Sequence, residues 1–136
     1  MLNYTSKMDN EKNYVDLWID DVRECPYIGW VWAKNYDEAI EILKTNKVRQ
    51  CSIDHDLSFL QYRNMYDPFT EKTGYDIVLW MEENDIWPEE VPIVHSHNPV
   101  GAKRMADVIS NYYQCYPTSI LRRAAASGKG IGWAKK

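Results

Sequence analysis

Apolar and polar positions divide the chain into short buried runs and amphipathic segments. Tyr14 to Ile19 (YVDLWI) is apolar and rich in β-formers and stops at the acidic pair Asp20-Asp21, which predicts a buried first strand. VRECPYIG (22–29) contains Pro26 and Gly29 and predicts a loop, and WVWA (30–33) predicts a second short strand. From Asn35 to Lys47, Leu43 lies three residues after Ile40 and four after Ala39, with polar residues between, which predicts a helix. VRQCSID (48–54) predicts a third strand, again ending in an acidic residue. Residues 57–72 have no clear period and contain Pro68, so a long loop is expected there. Thr73-Gly74 opens a second helix with Ile77, Val78 and Met81 on one face, and Trp87-Pro88 closes that region. VPIVHS (91–96) predicts a fourth strand. Asn98-Pro99 starts a third helix, with a capping Asn before Pro at the first helical position, and the apolar positions continue through Met105, Val108, Ile109 and Tyr112. After Pro117, TSILRRAAA fits either a fifth strand or a short helix. The expected organisation is a flexible lead (1–13), one α/β domain (14–123) and a basic Gly/Lys tail (124–136).

Strands that alternate with helices predict an α/β fold with a mostly parallel sheet of four or five strands. Such folds bind ligands beyond the carboxyl ends of their strands. Three of the predicted ends are polar: Asp20-Asp21 followed by Arg23; Asp54-His55-Asp56; and His95-Ser96-His97-Asn98. Charged groups at the ends of buried strands are costly unless paired, solvated or metal-bound, so three such ends predict one shared site. Strand alternation would aim one of Asp20 and Asp21 into that site, the other supporting it. If the third strand continued, Asp54 and Asp56 would share a face and His55 would oppose them.

The helix opening at Pro99 adds an anion site to the expectation. Its free amides near Val100, Gly101 and Ala102 would face the same edge, with Lys103 and Arg104 close behind. Four or five crowded carboxylates repel one another, and a hard divalent cation such as Mg²⁺ relieves that; the histidines would also admit a softer metal. Alternatively, His55, His95 or His97 would act as general acid and base.

Composition narrows the partners. The chain has 136 residues, enough for one well-buried domain, and a net charge of −4, which gives no bulk field for duplex nucleic acid. Cys25, Cys51 and Cys115 form neither a CxxC nor an even set, so free thiols in a reducing, cytoplasmic setting are expected. The polar N-terminus lacks a signal-peptide core, and no run approaches a membrane span. Six tryptophans and ten tyrosines serve packing, or stacking on a base or ribose.

The succession LWIDDVR (17–23), WVWAKNYDEAIEIL (30–43), SIDHDL (52–57), TGYDIVLWMEE (73–83) and HSHNPVGAKRM (95–105) resembles the cyclic-phosphate processing receiver-like domain, a divergent relative of the response-regulator receiver. The resemblance implies a flavodoxin-like sandwich with a shortened first helix. In receivers an acidic pair follows the first strand, an Asp the third, and a Ser or Thr the fourth; Asp20-Asp21, Asp54 and Ser96 match these places. The receiver lysine after the fifth strand has no clear counterpart, although Arg122, Arg123 or Lys129 would offer a cation. His55, Asp56, His95, His97 and Asn98 are additions to the receiver scheme.

The expected activity is therefore phosphohydrolysis of a cyclic phosphate on a nucleotide or RNA end. Asp20, Asp21 and Asp54 would hold Mg²⁺ or Mn²⁺. His55 and His95, with Asp54 and Asp56, would carry the catalysis. Arg23, Ser96, His97, Asn98, Gly101, Lys103 and Arg104 would bind the phosphate or ligand. The alternatives are a receiver-like module that signals without catalysis and a protein that sequesters a cyclic nucleotide.

Overall fold

The computed structural model describes residues 14–57 and 72–123. The expected flexible lead, most of the expected long loop, the basic tail and Lys129 lie outside the described residues. Five strands form one sheet: β1 (Tyr14–Ile19), β2 (Val31–Ala33), β3 (Lys47–Ile53), β4 (Ile93–Ser96) and β5 (Leu121–Arg123). Their order is β2-β1-β3-β4-β5, and every pairing is parallel. The helices are α1 (Tyr36–Thr45), α2 (Gly74–Asn84), α3 (Pro99–Tyr113) and the single turn α4 (Pro117–Ile120). The α/β reading is correct, and the segment after Pro117 is both things the sequence allowed: one helical turn, then a strand.

Register decides which side chains meet the helices. Leu17 pairs with Cys51, Ile19 with Ile53, and Ile53 with Val94, so these five residues share one face of the sheet. On that face they join Ala39 and Leu43 of α1, Ile77, Val78 and Met81 of α2, and Met105, Ala106 and Ile109 of α3 in one buried cluster. Each fully buried aliphatic side chain stabilises by about 1.5–3 kcal/mol before entropy is set against it. The intervening positions Trp18, Ser52 and His95 point to the opposite face, and all three are buried.

That opposite face is covered differently, because no helix forms between β1 and β2. Residues 20–30 make the crossover as a loop containing Pro26 and Gly29, the latter at φ +91°. Aromatic side chains pin the loop down. Trp18 Nε1–H donates to the Arg23 carbonyl at 2.8 Å, and Trp32 Nε1–H donates to the Asp20 carbonyl at 2.7 Å. Tyr27 packs edge-on against Trp18 with ring centroids 6.4 Å apart, and Trp30 packs on Tyr27 at 4.8 Å. The first helix is thus replaced here rather than shortened.

Two glycines set the site's geometry. Gly74 donates its amide to the His55 carbonyl at 2.7 Å, and a Cβ at Gly74 would lie 2.1 Å from the Asp54 carbonyl oxygen. No larger residue lets the start of α2 press this closely on the end of β3. Thr73 caps α2 in a reciprocal box with Asp76, which holds that start in place.

Candidate active site at the carboxyl edge of the sheet

Three carboxylates converge where β1 and β3 end. Asp20, Asp21 and Asp54 each offer one oxygen, and the three atoms lie within 4.8 Å of one another. Both members of the acidic pair offer an oxygen to the cluster, rather than one entering the site and the other only supporting it: β1 stops at Ile19, so strand alternation no longer governs Asp20 and Asp21. The same reason corrects Asp54 and Asp56. β3 stops at Ile53, Asp54 is 6% exposed, and the Asp56 side chain turns into solvent at 63%.

The members of the cluster differ electrostatically. Asp20 accepts from the Val22 and Arg23 amides at one oxygen, and from Arg23 Nη1 and His95 Nε2 at the other, at 2.6–3.1 Å. Burial works to raise its pKa, but the bonds from His95 and the two amides outweigh burial and hold it below the ordinary value. Among the described residues, the Asp54 carboxylate receives only the His55 amide, at 2.8 Å. Burial first, and then the neighbouring Asp20 charge, push Asp54 up to about 7.

His95 lies beneath this edge, not in it. Its ring is fully buried and stacked on Trp18, with centroids 4.1 Å apart and planes 8° from parallel. Nε2 meets Asp20 at 2.9 Å and Nδ1 meets the Ser52 hydroxyl at 2.6 Å. Burial lowers its pKa, against the pull of Asp20, so the neutral ring donates from Nε2 and accepts the Ser52 proton at Nδ1. With both nitrogens committed, His95 has none to offer a ligand. The expectation that it shuttles protons is corrected accordingly.

His55 is the histidine at the surface of the site. Its side chain is 12% exposed, and Nδ1 meets Asp56 Oδ1 at 2.8 Å. Asn98 Nδ2 donates to the same Asp56 oxygen at 3.4 Å, while Asn98 Oδ1 caps α3 by accepting from the Gly101 amide at 2.9 Å. A Cβ on Gly101 would come within 2.4–2.6 Å of three His55 ring atoms. Gly101, expected to bind ligand, is therefore the floor on which the His55 ring lies.

The anion site at the start of α3 is smaller than expected. Pro99 has no amide proton, Gly101 gives its own to Asn98 Oδ1, and Ala102 bonds to the Asn98 carbonyl. The Val100 amide remains for an outside acceptor. The two cations behind it are engaged elsewhere: Lys103 pairs with Asp107 at 3.1 Å, and Arg104 lies over the Tyr75 ring at 4.3 Å. Arg23 is tied to Asp20. Ser96 accepts from the Asn98 amide at 3.1 Å, which leaves its hydroxyl proton to donate, and His97 is exposed. Register sets the backbone of Arg122 beside His95 and that of Arg123 beside Ser96. The Arg122 guanidinium turns back to the Ser119 and Leu121 carbonyls, so it supplies no cation to the site.

Sequence reasoning passed over Ser52, Trp18 and Gly74. Ser52 had a signal, since a lone hydroxyl in a buried strand needs a partner. The other two are legible only from the contacts.

A parallel sheet with an acidic pair after β1, a single Asp after β3 and a Ser ending β4 defines a receiver-like α/β domain. Residues 15–111 match the model of the cyclic-phosphate processing receiver domain, and the chain belongs to that family. No curated protein matches the chain. No helix among the described residues is long and apolar enough to cross a membrane.

Proposed function

We propose that this domain is a metal-dependent phosphohydrolase that opens a cyclic phosphate on a nucleotide or RNA end. The observation that carries the reading is the His55–Asp56 pair, which directly follows Asp54 of the carboxylate cluster and is joined to it by the His55 amide. The donor set fits a hard divalent ion: three carboxylates offer oxygens within 4.8 Å, and Asp54 carries an ionisation cost that a cation removes. Mg²⁺ or Mn²⁺, when bound, would polarise the phosphoryl oxygens and lower the pKa of a bound water. Asp20, Asp21 and Asp54 would each give the ion one oxygen. Asp20 accepts four hydrogen bonds, and these fix how its carboxylate meets the other two.

Asp56 holds the Nδ1–H of His55, so the lone pair for proton transfer sits on Nε2. His55 takes the proton of the attacking water as oxygen bonds to phosphorus, and the ring P–O bond breaks. The leaving ribose oxygen recovers a proton from His55, giving a phosphate monoester. The Ser96 hydroxyl and Val100 amide donate to the phosphate oxygens. A panel of 2′,3′- and 3′,5′-cyclic nucleotides tests the reading with added Mn²⁺ or Mg²⁺ and with chelator. Metal-dependent turnover that vanishes in His55→Ala is expected; no turnover on the panel defeats it.

A second reading rests on Asp54 and Ser96 standing at the ends of β3 and β4, at the places where the similar receiver domains carry an Asp and a Ser or Thr. In it the domain takes a phosphoryl group on Asp54 and signals without hydrolysing a cyclic ester. Acetyl phosphate distinguishes the two: a stable acyl phosphate lost in Asp54→Asn supports signalling, and an unlabelled, folded protein removes it.

A further inference from the structure

We propose that Ser52 and His95 are positioning residues that fix the Asp20 carboxylate from beneath, so that metal affinity at the carboxyl edge depends on a hydroxyl outside the site. This rests on the metal-binding reading above.

Three observations carry it. First, the geometry is a continuous chain: the Ser52 hydroxyl to His95 Nδ1 at 2.6 Å, then His95 Nε2 to Asp20 at 2.9 Å. Second, the chain is buried throughout, with Ser52, His95 and Asp20 each at most 1% exposed, so no water substitutes freely for a missing partner. Third, the ring cannot swing away. It is stacked on Trp18, whose own Nε1–H anchors the loop at the Arg23 carbonyl.

The loop at Val22 and Arg23 supplies the other donors to Asp20, its two amides at Oδ1 and Arg23 Nη1 beside His95 at Oδ2. Trp18 therefore ties together both sets of donors that orient this carboxylate. An outer partner hydrogen-bonded directly to a metal ligand typically changes metal affinity by about 10–100-fold when removed, and His95 is that partner for Asp20. Ser52 acts through His95: donating its proton to Nδ1 keeps the ring in the tautomer that presents Nε2–H to Asp20.

The test uses the full chain and Mn²⁺ alone, with binding followed by calorimetry and folding by circular dichroism. Ser52→Ala is expected to weaken Mn²⁺ binding about tenfold, whereas Ser52→Thr, which keeps the hydroxyl, stays close to wild type. His95→Leu should lose at least as much, and His95→Gln, whose amide nitrogen can still donate toward Asp20, should recover part of it. Nitrogen-15 spectra of the native protein add a readout that needs no variant to fold. His95 is expected to show an unprotonated Nδ1 and a protonated Nε2. Folded Ser52→Ala with wild-type affinity overturns the proposal and leaves the metal reading intact, as does a native His95 protonated at Nδ1. A native protein that binds no Mn²⁺ while showing the expected tautomer overturns the metal reading, and this proposal falls with it.

Discussion

Asp54→Asn should stabilise the metal-free protein. The native carboxyl is 6% exposed, and its pKa rises from 3.8 to about 7, chiefly through burial and then through the Asp20 charge. Between about pH 4 and 7 the folded state keeps a proton that the unfolded chain has released, so stability falls as pH rises through that window. Roughly three units at 1.36 kcal/mol each set a ceiling of about 4 kcal/mol. Asp20 works in a different range: its lowered pKa contributes stability that is lost only as pH falls below the ordinary carboxylate value. Asparagine keeps the shape and can still accept from the His55 amide while carrying no charge. Realising even about a third of the ceiling raises the midpoint of thermal unfolding by several degrees for a domain of this size. The assay is thermal unfolding in chelator across pH 5–8. The variant should melt several degrees above wild type at pH 8, with the gap closing toward pH 5. Added Mn²⁺ should then raise wild type more than the variant. A variant less stable than wild type at pH 8 in chelator would refute the reasoning, because it would mean that the buried charge is already compensated.

Three further outcomes follow from the contacts. Gly101→Ala should displace the His55 ring, since the new Cβ falls 2.4 Å from it; turnover should drop, and adding His55→Ala should cost little more. Gly74→Ala meets a backbone oxygen at 2.1 Å, so chemical denaturation should show a loss of about 2–4 kcal/mol. Lys103→Ala should leave both turnover and substrate KM at wild-type values, because that ammonium pairs with Asp107 on an exposed helix face.

What the chain discloses unaided follows from how local each feature is. β1, β3, α2 and α3 are legible because apolar periodicity and capping residues act over a few positions: Thr73 and Asn98 do cap the helices they were expected to open. The three polar strand ends were legible too, since parallel topology obliges strand ends to share an edge. Side-chain roles within that edge were not. Whether His95 faces a ligand depends on where β4 stops, on Trp18 two strands away in the sheet, and on a hydroxyl at Ser52, none of which leaves a trace at position 95. Lys103 and Arg104 escape a sequence reading for the same kind of reason: helical phase turns them toward Asp107 and Tyr75. Nothing local to Gly101 shows that a histidine ring from another strand end takes up the space beside it.

The central claim, that the carboxylate cluster and His55 together open a cyclic phosphate, is tested most directly by turnover of a 2′,3′-cyclic nucleotide with Mn²⁺ present, in wild type, Asp21→Asn and His55→Ala. The account predicts a monoester product from wild type that disappears on chelation. It also predicts loss of turnover in both variants, with Mn²⁺ affinity lost only in Asp21→Asn. Turnover that survives both substitutions, or that is indifferent to chelator, would contradict it.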